Sequence, residues 1–338
     1  MDANVYWFLE DMFHDESLLE EFLADVPAAY GTKCYLAQTG EKKRIVVEKP
    51  AGYPGLDYIE GDYALESILE SMDEAGIDKA VMKTPCCQEW MGIAMCSIFN
   101  DGMAAYAKKS GGRLIHLAVL PPWGSAAAER ELIRCVTALG VHGVQLSAHY
   151  GNLYLDDPSF EPLLEKLNEL KLTAYIHHTP APVGCEPIVK YTNLRRTYGR
   201  CVDQAIAVSR ELFGGVIQRY PNIKFVHSML GGGFYAFANM FFPAAAGSGR
   251  FDPVGSDLRN AFKKSVYFEM SHAQPWGKEQ LECAIKALGA DHVVFGSSYP
   301  VRKEWMQGGP DFINGLEISN EDKALILGEN ARFLYGID

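Results

Sequence analysis

Eight short apolar runs recur along the chain, and each is followed by turn residues and a more polar segment. The runs are VYWFL (5–9), KAVMK (79–83), RLIHLAVL (113–120), GVQLS (143–147), LTAYIH (172–177), IKFVH (223–227), SVYFE (265–269) and HVVFG (292–296). Continuous apolar runs of this length, bounded by turns, are typical of strands that are buried on both faces. The pattern therefore predicts eight buried strands.

The segments between these runs are amphipathic. Apolar residues recur at spacings of three and four in DYALESILESMDEAG (62–76), ERELIRCVTALG (129–140) and FEPLLEKLNEL (160–170), which predicts helices with one buried face. Eightfold alternation of strand and helix predicts an α/β protein, a distorted (β/α)8 TIM barrel. An open doubly wound sheet is the alternative, but no G-x-G-x-x-G motif follows the first strand to support it.

Two segments interrupt the alternation within what we expect to be a single domain over residues 1–338. Residues 25–61 contain YLAQTG and KRIVVEK around a Thr-Gly-Glu turn, which predicts a small hairpin inserted after strand 1. Residues 178–205 form a long loop after the fifth strand. Long loops in compact domains are often lids or binding loops, so this one is expected to lie over the pocket.

The composition of the chain limits which classes of partner and which cellular compartment are expected. The 338 residues are 48% hydrophobic and 22% charged, with a formal net charge of −12, which argues against nucleic acid as a partner. No run of 18 apolar residues predicts a membrane span, and the N-terminus lacks the pattern of a signal peptide. The eight cysteines form no C-x-x-C pair, so reduced thiols in the cytoplasm are the expectation. We interpret the adjacent Cys86 and Cys87 as buried small residues.

Chemistry in such barrels lies at the carboxyl ends of the strands, where this chain concentrates titratable residues. Imidazole and carboxylate groups bind metals or move protons near neutral pH. The predicted catalytic residues are His177, His227, Glu10 and Glu269. The predicted substrate-binding residues are Arg302, His149, His178, Ser298, Tyr299 and Trp276. Arg302 is the candidate for holding a carboxylate, whereas Arg195, Arg196 and Arg200 on the long loop are interpreted as solvated surface.

Four segments resemble one known family. They are ESMDEAGIDKAVM (70–82), LDDPSFEPLLEKLNELKLTAYIHH (155–178), YPNIKFVHSMLGGGF (220–234) and VVFGSSYP (293–300). Their order and spacing are similar to those of the amidohydrolase-related enzymes that include aminocarboxymuconate semialdehyde decarboxylase and γ-resorcylate decarboxylase. The resemblance covers about residues 60 to 335. It implies a distorted (β/α)8 barrel that decarboxylates or hydrolyses aromatic or unsaturated carboxylates.

The resemblance also implies a metal site from which this chain departs. Many members hold one divalent metal on an H-x-H or E-x-H pair from strand one, a histidine from strand five and an aspartate from strand eight. His177 matches the strand-five ligand, and His227 matches a strand-six histidine that acts on substrate or water. Glu10 matches the acidic member of the strand-one pair. Met12 and Ser298 stand where the other two ligands are expected, and both are weak ligands for zinc or manganese.

These departures lead to the expectation of no cofactor. The expected function is a carbon–carbon lyase, a decarboxylase that uses histidine acid–base chemistry without a conventional metal. The alternative cofactor is a single zinc or manganese ion on Glu10 and His177. The alternative functions are a metal-independent hydrolase of a lactone or cyclic ketone and a non-catalytic ligand-binding paralogue. The expected partner is a small carboxylate substrate, and a homodimer is an assembly that the resemblance allows.

Overall fold

The predicted barrel of parallel strands is confirmed. The computed structural model describes residues 1–242 and 254–337. Its strands are β1 (Asp2–Tyr6), β2 (Lys33–Thr39), β3 (Lys42–Glu48), β4 (Pro54–Ile59), β5 (Ala80–Lys83), β6 (Leu114–His116), β7 (Ala118–Val119), β8 (Gly143–Ser147), β9 (His149–Tyr150), β10 (Leu153–Tyr154), β11 (Thr173–His177), β12 (Lys224–His227), β13 (Val266–Glu269) and β14 (Val293–Val294). The barrel wall consists of two parallel sheets, in the orders β1-β5-β6 and β7-β8-β11-β12-β13-β14.

Backbone hydrogen bonds close the wall into a barrel. β6 and β7 are two pieces of one strand, separated only by Leu117, and they join the two sheets on one side. On the other side, β1 meets the residues that follow β14. The amide of Ala3 donates to the carbonyl of Phe295 (2.9 Å), and the amide of Tyr6 donates to the carbonyl of Tyr299 (2.7 Å). The barrel therefore has eight strand positions, as the eight apolar runs predict.

Helices alternate with the barrel strands along the chain and pack around the barrel. They are α1 (Glu16–Ala24), α2 (Leu65–Glu74), α3 (Ile93–Lys109), α4 (Ala126–Arg134), α5 (Glu161–Leu170), α6 (Arg200–Phe213), α7 (Val216–Arg219), α8 (Met229–Gly233), α9 (Ala238–Phe241), α10 (Ser256–Ser265), α11 (Lys278–Leu288), α12 (Lys303–Gln307), α13 (Gly309–Asn314), α14 (Asn320–Ala324) and α15 (Asn330–Tyr335). α8 is a tight turn whose residues Leu230, Gly231 and Gly232 have positive φ angles. None of the helices in the described residues is long and apolar enough to cross a membrane.

Side-chain direction alternates along each strand and so divides the apolar residues into two clusters. The smaller cluster fills the barrel and includes Tyr175 of β11 and Val226 of β12. The larger cluster lies between the wall and the helices and includes Ile176 and Phe225, the neighbours of those two residues. A residue next to a barrel-filling position therefore faces the helices, and this rule decides which strand-end histidines reach the interior.

The segment inserted after β1 is larger than the predicted hairpin. β2, β3 and β4 form a three-stranded antiparallel sheet, with β3 in the middle. The sheet is tied to the barrel by aromatic packing, because Tyr58 of β4 stacks on Phe8 at 4.3 Å between ring centroids. Residues 56–59 of β4 also line the main cavity. The insertion therefore forms one wall of the candidate site.

The long loop after β11 continues directly into α6. It contains a π-helical turn over Leu194–Gly199, and α6 begins at Arg200. Thr192, Asn193, Arg196 and Thr197 line the same cavity as the inserted sheet. The loop and the insertion thus meet above the carboxyl ends of the barrel strands.

Candidate active site

A cavity of about 620 Å³ opens at the carboxyl ends of the barrel strands. Its floor comes from residues at or just after the strand ends, which are Tyr6, Cys86, His178, Met229, His272 and Ser298. Its walls come from the inserted sheet, from the loop before α6, and from residues 300–305 after the eighth strand position. The size suits a single small molecule, and the floor combines phenol, thiol and imidazole groups.

His177 ends β11 and faces the barrel axis beneath this floor. It is fully buried, its Nε2 lies 2.7 Å from the hydroxyl of Tyr6, and its Nδ1 lies 2.6 Å from the carbonyl oxygen of His178. Burial lowers the pKa of His177 well below its ordinary value, and the charge of Lys83 adds to that shift. A neutral ring then donates from Nδ1 to the carbonyl and accepts the Tyr6 proton at Nε2.

His178 and Cys86 lie beside His177. The rings of His177 and His178 stack at 4.2 Å between centroids, and the Sγ atom of Cys86 is 3.4 Å from His177 Nδ1. Cys86 has a left-handed backbone (φ 67°), and its neighbour Cys87 belongs to the apolar core. This turn allows two adjacent cysteines to point in different directions. Burial raises the pKa of the Cys86 thiol to about 12, and the charge of Arg200 opposes that shift.

Two arginines bring positive charge to the cavity without a carboxylate partner. Arg196 and Arg200 both line it, and neither pairs with an acidic residue in the part of the chain that the structure describes. Arg200 donates from Nη2 to the carbonyl of Gly55 (3.1 Å), while its buried Nε has no hydrogen-bond partner among those residues. An unpaired guanidinium group in a cavity is suited to binding a carboxylate with two parallel hydrogen bonds.

His272 is a second imidazole on the cavity floor. Its ring stacks on Trp305 at 4.3 Å between centroids, and its Nδ1 has no hydrogen-bond partner in residues 1–242 and 254–337. Burial lowers the pKa of His272 to about 4, and the positive charge of Arg200 acts in the same direction. His272 is therefore neutral at pH 7 in the free protein and is not fixed by a carboxylate.

A polar layer lies below the cavity inside the barrel. Glu269 accepts hydrogen bonds from Asn4 Nδ2 (3.0 Å), the hydroxyl of Tyr175 (2.5 Å) and the amide of Ser271 (2.5 Å). Lys83 is buried nearby, with its Nζ 4.0 Å from the centroid of the Tyr175 ring. Burial lowers the pKa of Lys83 to about 7, and the charge of Glu269 opposes this shift. Because its oxygens are engaged, Glu269 supports the floor and does not line the cavity.

His227 is not at the cavity, contrary to the sequence prediction. It follows the inward-facing Val226 on β12, so its side chain points outward to α6. There its Nε2 lies 2.9 Å from Glu211 and its Nδ1 lies 3.2 Å from Gln204, seven residues apart on one face of the helix. Ser228 and Met229 follow, and Met229 lines the cavity.

Glu10 is also far from its predicted place, and the reason is the position of β1. The strand spans Asp2–Tyr6, whereas the sequence pattern placed it at 5–9. Tyr6 is therefore the strand-end residue that meets His177. Glu10 lies in the following turn, where it accepts hydrogen bonds from the amides of Gly61 (2.9 Å) and Tyr63 (2.9 Å). It is not a neighbour of His177, so the two do not form the predicted metal pair.

The six predicted substrate-binding residues divide into two groups. His178, Ser298 and Arg302 line the cavity, although Arg302 is largely exposed and lies 3.5 Å from Glu304. The other three are occupied elsewhere: His149 contacts Asp203 (2.8 Å), Tyr299 donates to the carbonyl of Ser67 (3.0 Å), and Trp276 donates to the carbonyl of Met270 (2.9 Å).

Four cavity residues escaped the predicted set of functional residues. Tyr6 was missed because the strand was placed three residues too late. Cys86 and Arg200 were interpreted as core and surface, since neither the turn at Cys86 nor the approach of the loop is encoded in a local pattern. His272 follows β13 by three residues, and this position after a strand end was the one signal that could have identified it.

A closed (β/α)8 barrel with such a cavity at its carboxyl end is the architecture of a barrel enzyme. The sequence profile of the family described as Amidohydrolase matches residues 41–337, and the chain belongs to this family. This confirms the resemblance found in the sequence, and the protein is an enzyme.

Relatives of this chain have decarboxylase names, as two examples show. The chain is 28% identical over 253 residues to 2-amino-3-carboxymuconate-6-semialdehyde decarboxylase of Dictyostelium discoideum, covering 73% of this chain and 67% of that protein. It is 24% identical over 300 residues to gamma-resorcylate decarboxylase of Rhizobium sp. (strain MTP-10005), covering 80% and 86%. These names do not support the alternatives of a hydrolase or of a non-catalytic binding protein.

Solved structures correct the expectation that no metal takes part. One is a dihydroxybenzoic acid decarboxylase from Polaromonas sp. JS666 with bound manganese and 2-nitroresorcinol (TM-score 0.72, 18% identity, 99% of this chain and 97% of that one). Another is a 5-carboxyvanillate decarboxylase from Novosphingobium aromaticivorans with manganese (TM-score 0.71, 20% identity, 81% of each chain). The expectation of a cofactor-free site is therefore wrong.

The donor atoms of this chain determine which residues could hold a metal. Cys86, His177 and His178 each offer one ligand atom, and these atoms lie within 4.8 Å of one another. Within the described residues this is the one cluster of three or more His, Cys, Asp or Glu groups that meets that spacing. One thiol and two imidazoles fit a divalent ion that accepts sulfur and nitrogen ligands. Neither Glu10 nor Ser298 belongs to this group.

Proposed function

We propose that the protein is a decarboxylase that removes the carboxylate of a small aromatic or unsaturated acid bound in the cavity. The observation that carries this proposal is the unpaired guanidinium of Arg200 in the same cavity as the neutral imidazole of His272. The names of the two relatives support the reaction class. Decarboxylation requires a group that binds the carboxylate and a group that donates a proton to carbon. Arg200 can bind the carboxylate, and His272 can donate the proton.

Substrate binding is assigned to the positive and aromatic groups of the cavity. Arg200 and Arg196 attract the carboxylate, and neither has to break an ion pair within the described residues to do so. Tyr58 of the inserted sheet and Trp305, which follows the eighth strand position, both line the cavity. Flat aromatic side chains favour a flat substrate through stacking and burial of apolar area. The cavity therefore favours a planar carboxylate.

Proton transfer is assigned to His272. When a carboxylate binds near Arg200, its negative charge raises the pKa of His272, so the imidazole takes up a proton from solvent. The imidazolium then protonates the substrate carbon that bears the carboxylate. The bond from that carbon to the carboxyl group breaks, its electron pair stays with the substrate, and carbon dioxide leaves. The imidazole returns to its neutral state, so one solvent proton is consumed in each turnover.

His177 and Tyr6 have a positioning role in this scheme. The hydrogen bond between Tyr6 and His177 holds both rings in place, and burial keeps the pKa of the Tyr6 hydroxyl above its ordinary value. Tyr6 therefore stays protonated at the cavity floor. A divalent metal bound to Cys86, His177 and His178 would supply a Lewis acid that polarises a substrate oxygen.

The test is release of carbon dioxide from a panel of small acids by the purified, metal-supplemented protein. The panel contains hydroxybenzoates, methoxylated hydroxybenzoates and an unsaturated aminocarboxylate, with the matching methyl esters as controls. We expect carbon dioxide and the protonated product from at least one acid and from no ester. Ester hydrolysis without decarboxylation of any acid would refute the proposal.

A further inference from the structure

We propose that Cys86, His177 and His178 form a site for a thiophilic divalent ion of the zinc and cobalt type, with the Cys86 thiolate as a ligand. The ion's part in catalysis rests on the proposed function, but its binding does not. The proposal differs from the ligand set that the family resemblance implies, because strand one supplies Tyr6 here and a cysteine after β5 enters the site.

The geometry brings the three donors together without a competing ion pair. The Sγ atom of Cys86 is 3.4 Å from His177 Nδ1, the two imidazole rings stack at 4.2 Å, and all three residues are buried. Their strongest present contacts are with neutral groups: His177 with Tyr6 and the carbonyl of His178, and His178 with Ser228. A neutral imidazole is the form that binds a metal, so no carboxylate has to be displaced.

The thiol of Cys86 is distinguished from its neighbour by direction and by charge. Cys87 is packed in the apolar core, whereas Cys86 lines the cavity near Arg200. Binding of the ion replaces the thiol proton by the metal and releases that proton to solvent. Burial raises the pKa of the Cys86 thiol, and the positive charge of Arg200 is the largest influence that lowers it. The guanidinium group of Arg200 therefore favours the resulting thiolate.

The side-chain oxygens of Ser298 and Glu269, two residues at or just after the ends of barrel strands, are engaged elsewhere. The hydroxyl of Ser298 donates to the carbonyl of Ser271 (2.7 Å) and accepts from Asn4 (3.1 Å). Glu269 is held in the polar layer by Asn4, Tyr175 and Ser271. A set of one sulfur and two nitrogens is softer than a carboxylate set and suits zinc or cobalt better than manganese. A water molecule or a substrate oxygen completes a four-coordinate site.

Cobalt(II) is the probe, because cobalt bound to thiolate absorbs by sulfur-to-metal charge transfer. The full-length protein is stripped of metal with a chelator and titrated with cobalt(II). We expect one equivalent to bind with a charge-transfer band, and we expect zinc(II) to abolish the band. A large excess of manganese(II) should leave it unchanged. Equal competition by manganese, or no charge-transfer band at all, would overturn the proposal.

Cys86→Ala and Cys87→Ala are the matched variants. Both remove a buried thiol from adjacent positions, but we expect only Cys86→Ala to lose the charge-transfer band. Circular dichroism and thermal unfolding establish that each variant is folded. A band that survives in Cys86→Ala would show that another cysteine is the ligand.

X-ray absorption of the zinc-loaded wild-type protein gives a second answer that needs no variant. One sulfur at about 2.3 Å together with nitrogen neighbours is expected. A shell without sulfur would contradict the proposal even if Cys86→Ala fails to fold. These readouts measure binding and ligand type, so a protein that binds zinc through sulfur but releases no carbon dioxide would refute the proposed function alone.

Discussion

The ends of β11 and β12 are neighbours in the barrel wall, yet their histidines face opposite environments. His177 and His178 follow the inward-facing Tyr175 and lie at or under the cavity. His227 follows the inward-facing Val226 by one residue and is therefore turned to α6, where Glu211 and Gln204 engage both ring nitrogens. Two strand-end histidines that look equivalent in the sequence thus belong to different parts of the molecule.

The two histidines differ in the partners of their rings: an acidic side chain, Glu211, engages His227, whereas His177 contacts only neutral groups. The protein itself supplies the charged partner of His227, so no ring nitrogen is left to bind a ligand. Around the cavity, Arg200 lacks a carboxylate partner and the ring of His272 has an unpartnered nitrogen among the described residues. Buried polar groups without partners are unfavourable in the free protein, and a bound ligand can satisfy them.

The largest effect on turnover is expected for His272→Gln. Loss of the group that delivers the proton should lower kcat by at least about 100-fold. KM should change little, because Arg200 still binds the carboxylate. Steady-state kinetics with a confirmed substrate provide the measurement. A kcat within threefold of the wild-type value would remove His272 from the mechanism.

Arg200→Met should have the next largest effect. Loss of a charge-assisted hydrogen bond to the substrate should lower kcat/KM by roughly 10- to 100-fold, mainly through KM. Arg210→Met is the matched control, since Arg210 lies on the same helix but pairs with Asp156 away from the cavity. If both variants lose the same activity, the effect comes from α6 as a whole rather than from the guanidinium of Arg200.

His227→Gln tests the comparison directly. We expect turnover per folded molecule within about threefold of the wild type, because the residue does not touch the cavity. The free energy of unfolding should fall by about 3 kcal/mol, since Glu211 stays buried without its imidazole partner. Urea unfolding measures this loss, and the double variant with Glu211→Gln should lose less than the sum of the single changes. A 100-fold loss of kcat in a folded His227→Gln protein would contradict the outward orientation.

The smallest expected effect is on the pH dependence of the free energy of unfolding, and it is seen only below neutral pH. The pKa of His272 is about 4 in the folded protein and 6.5 without burial, so the unfolded chain binds the proton first as pH falls. The contribution of neutral His272 to stability is therefore complete above about pH 6.5 and is lost as pH falls towards 4. Urea unfolding at pH 7 and pH 5 should show a smaller acid loss in His272→Gln than in the wild type. The same slope in both proteins would mean that His272 is not desolvated.

Parts of the site could be predicted because they depend on local pattern. His177 and His178 end an apolar run, and the structure brings both to the carboxyl end of the barrel, with His178 lining the cavity and His177 beneath it. Glu10 and His227 also lie near strand ends, but their side chains are directed elsewhere. A shift of three residues in the position of β1 replaces Glu10 by Tyr6 at the strand end. β12 ends at His227, as the apolar run predicts, but side chains alternate along a strand, so the residue next to the inward-facing Val226 points outward.

Hydrophobic periodicity was enough to predict eight strands with helices between them, although β1 lies three residues earlier than predicted, and four segments in a constant order indicated the family. Which strand-end side chains meet depends on how the barrel closes in three dimensions. Closure of β1 against the residues after β14 places Tyr6 against His177. The turn at Cys86 and the approach of the loop before α6 bring thiol and guanidinium groups to the same cavity. These contacts join residues that are far apart in the chain, so their energies depend on packing that no local pattern records.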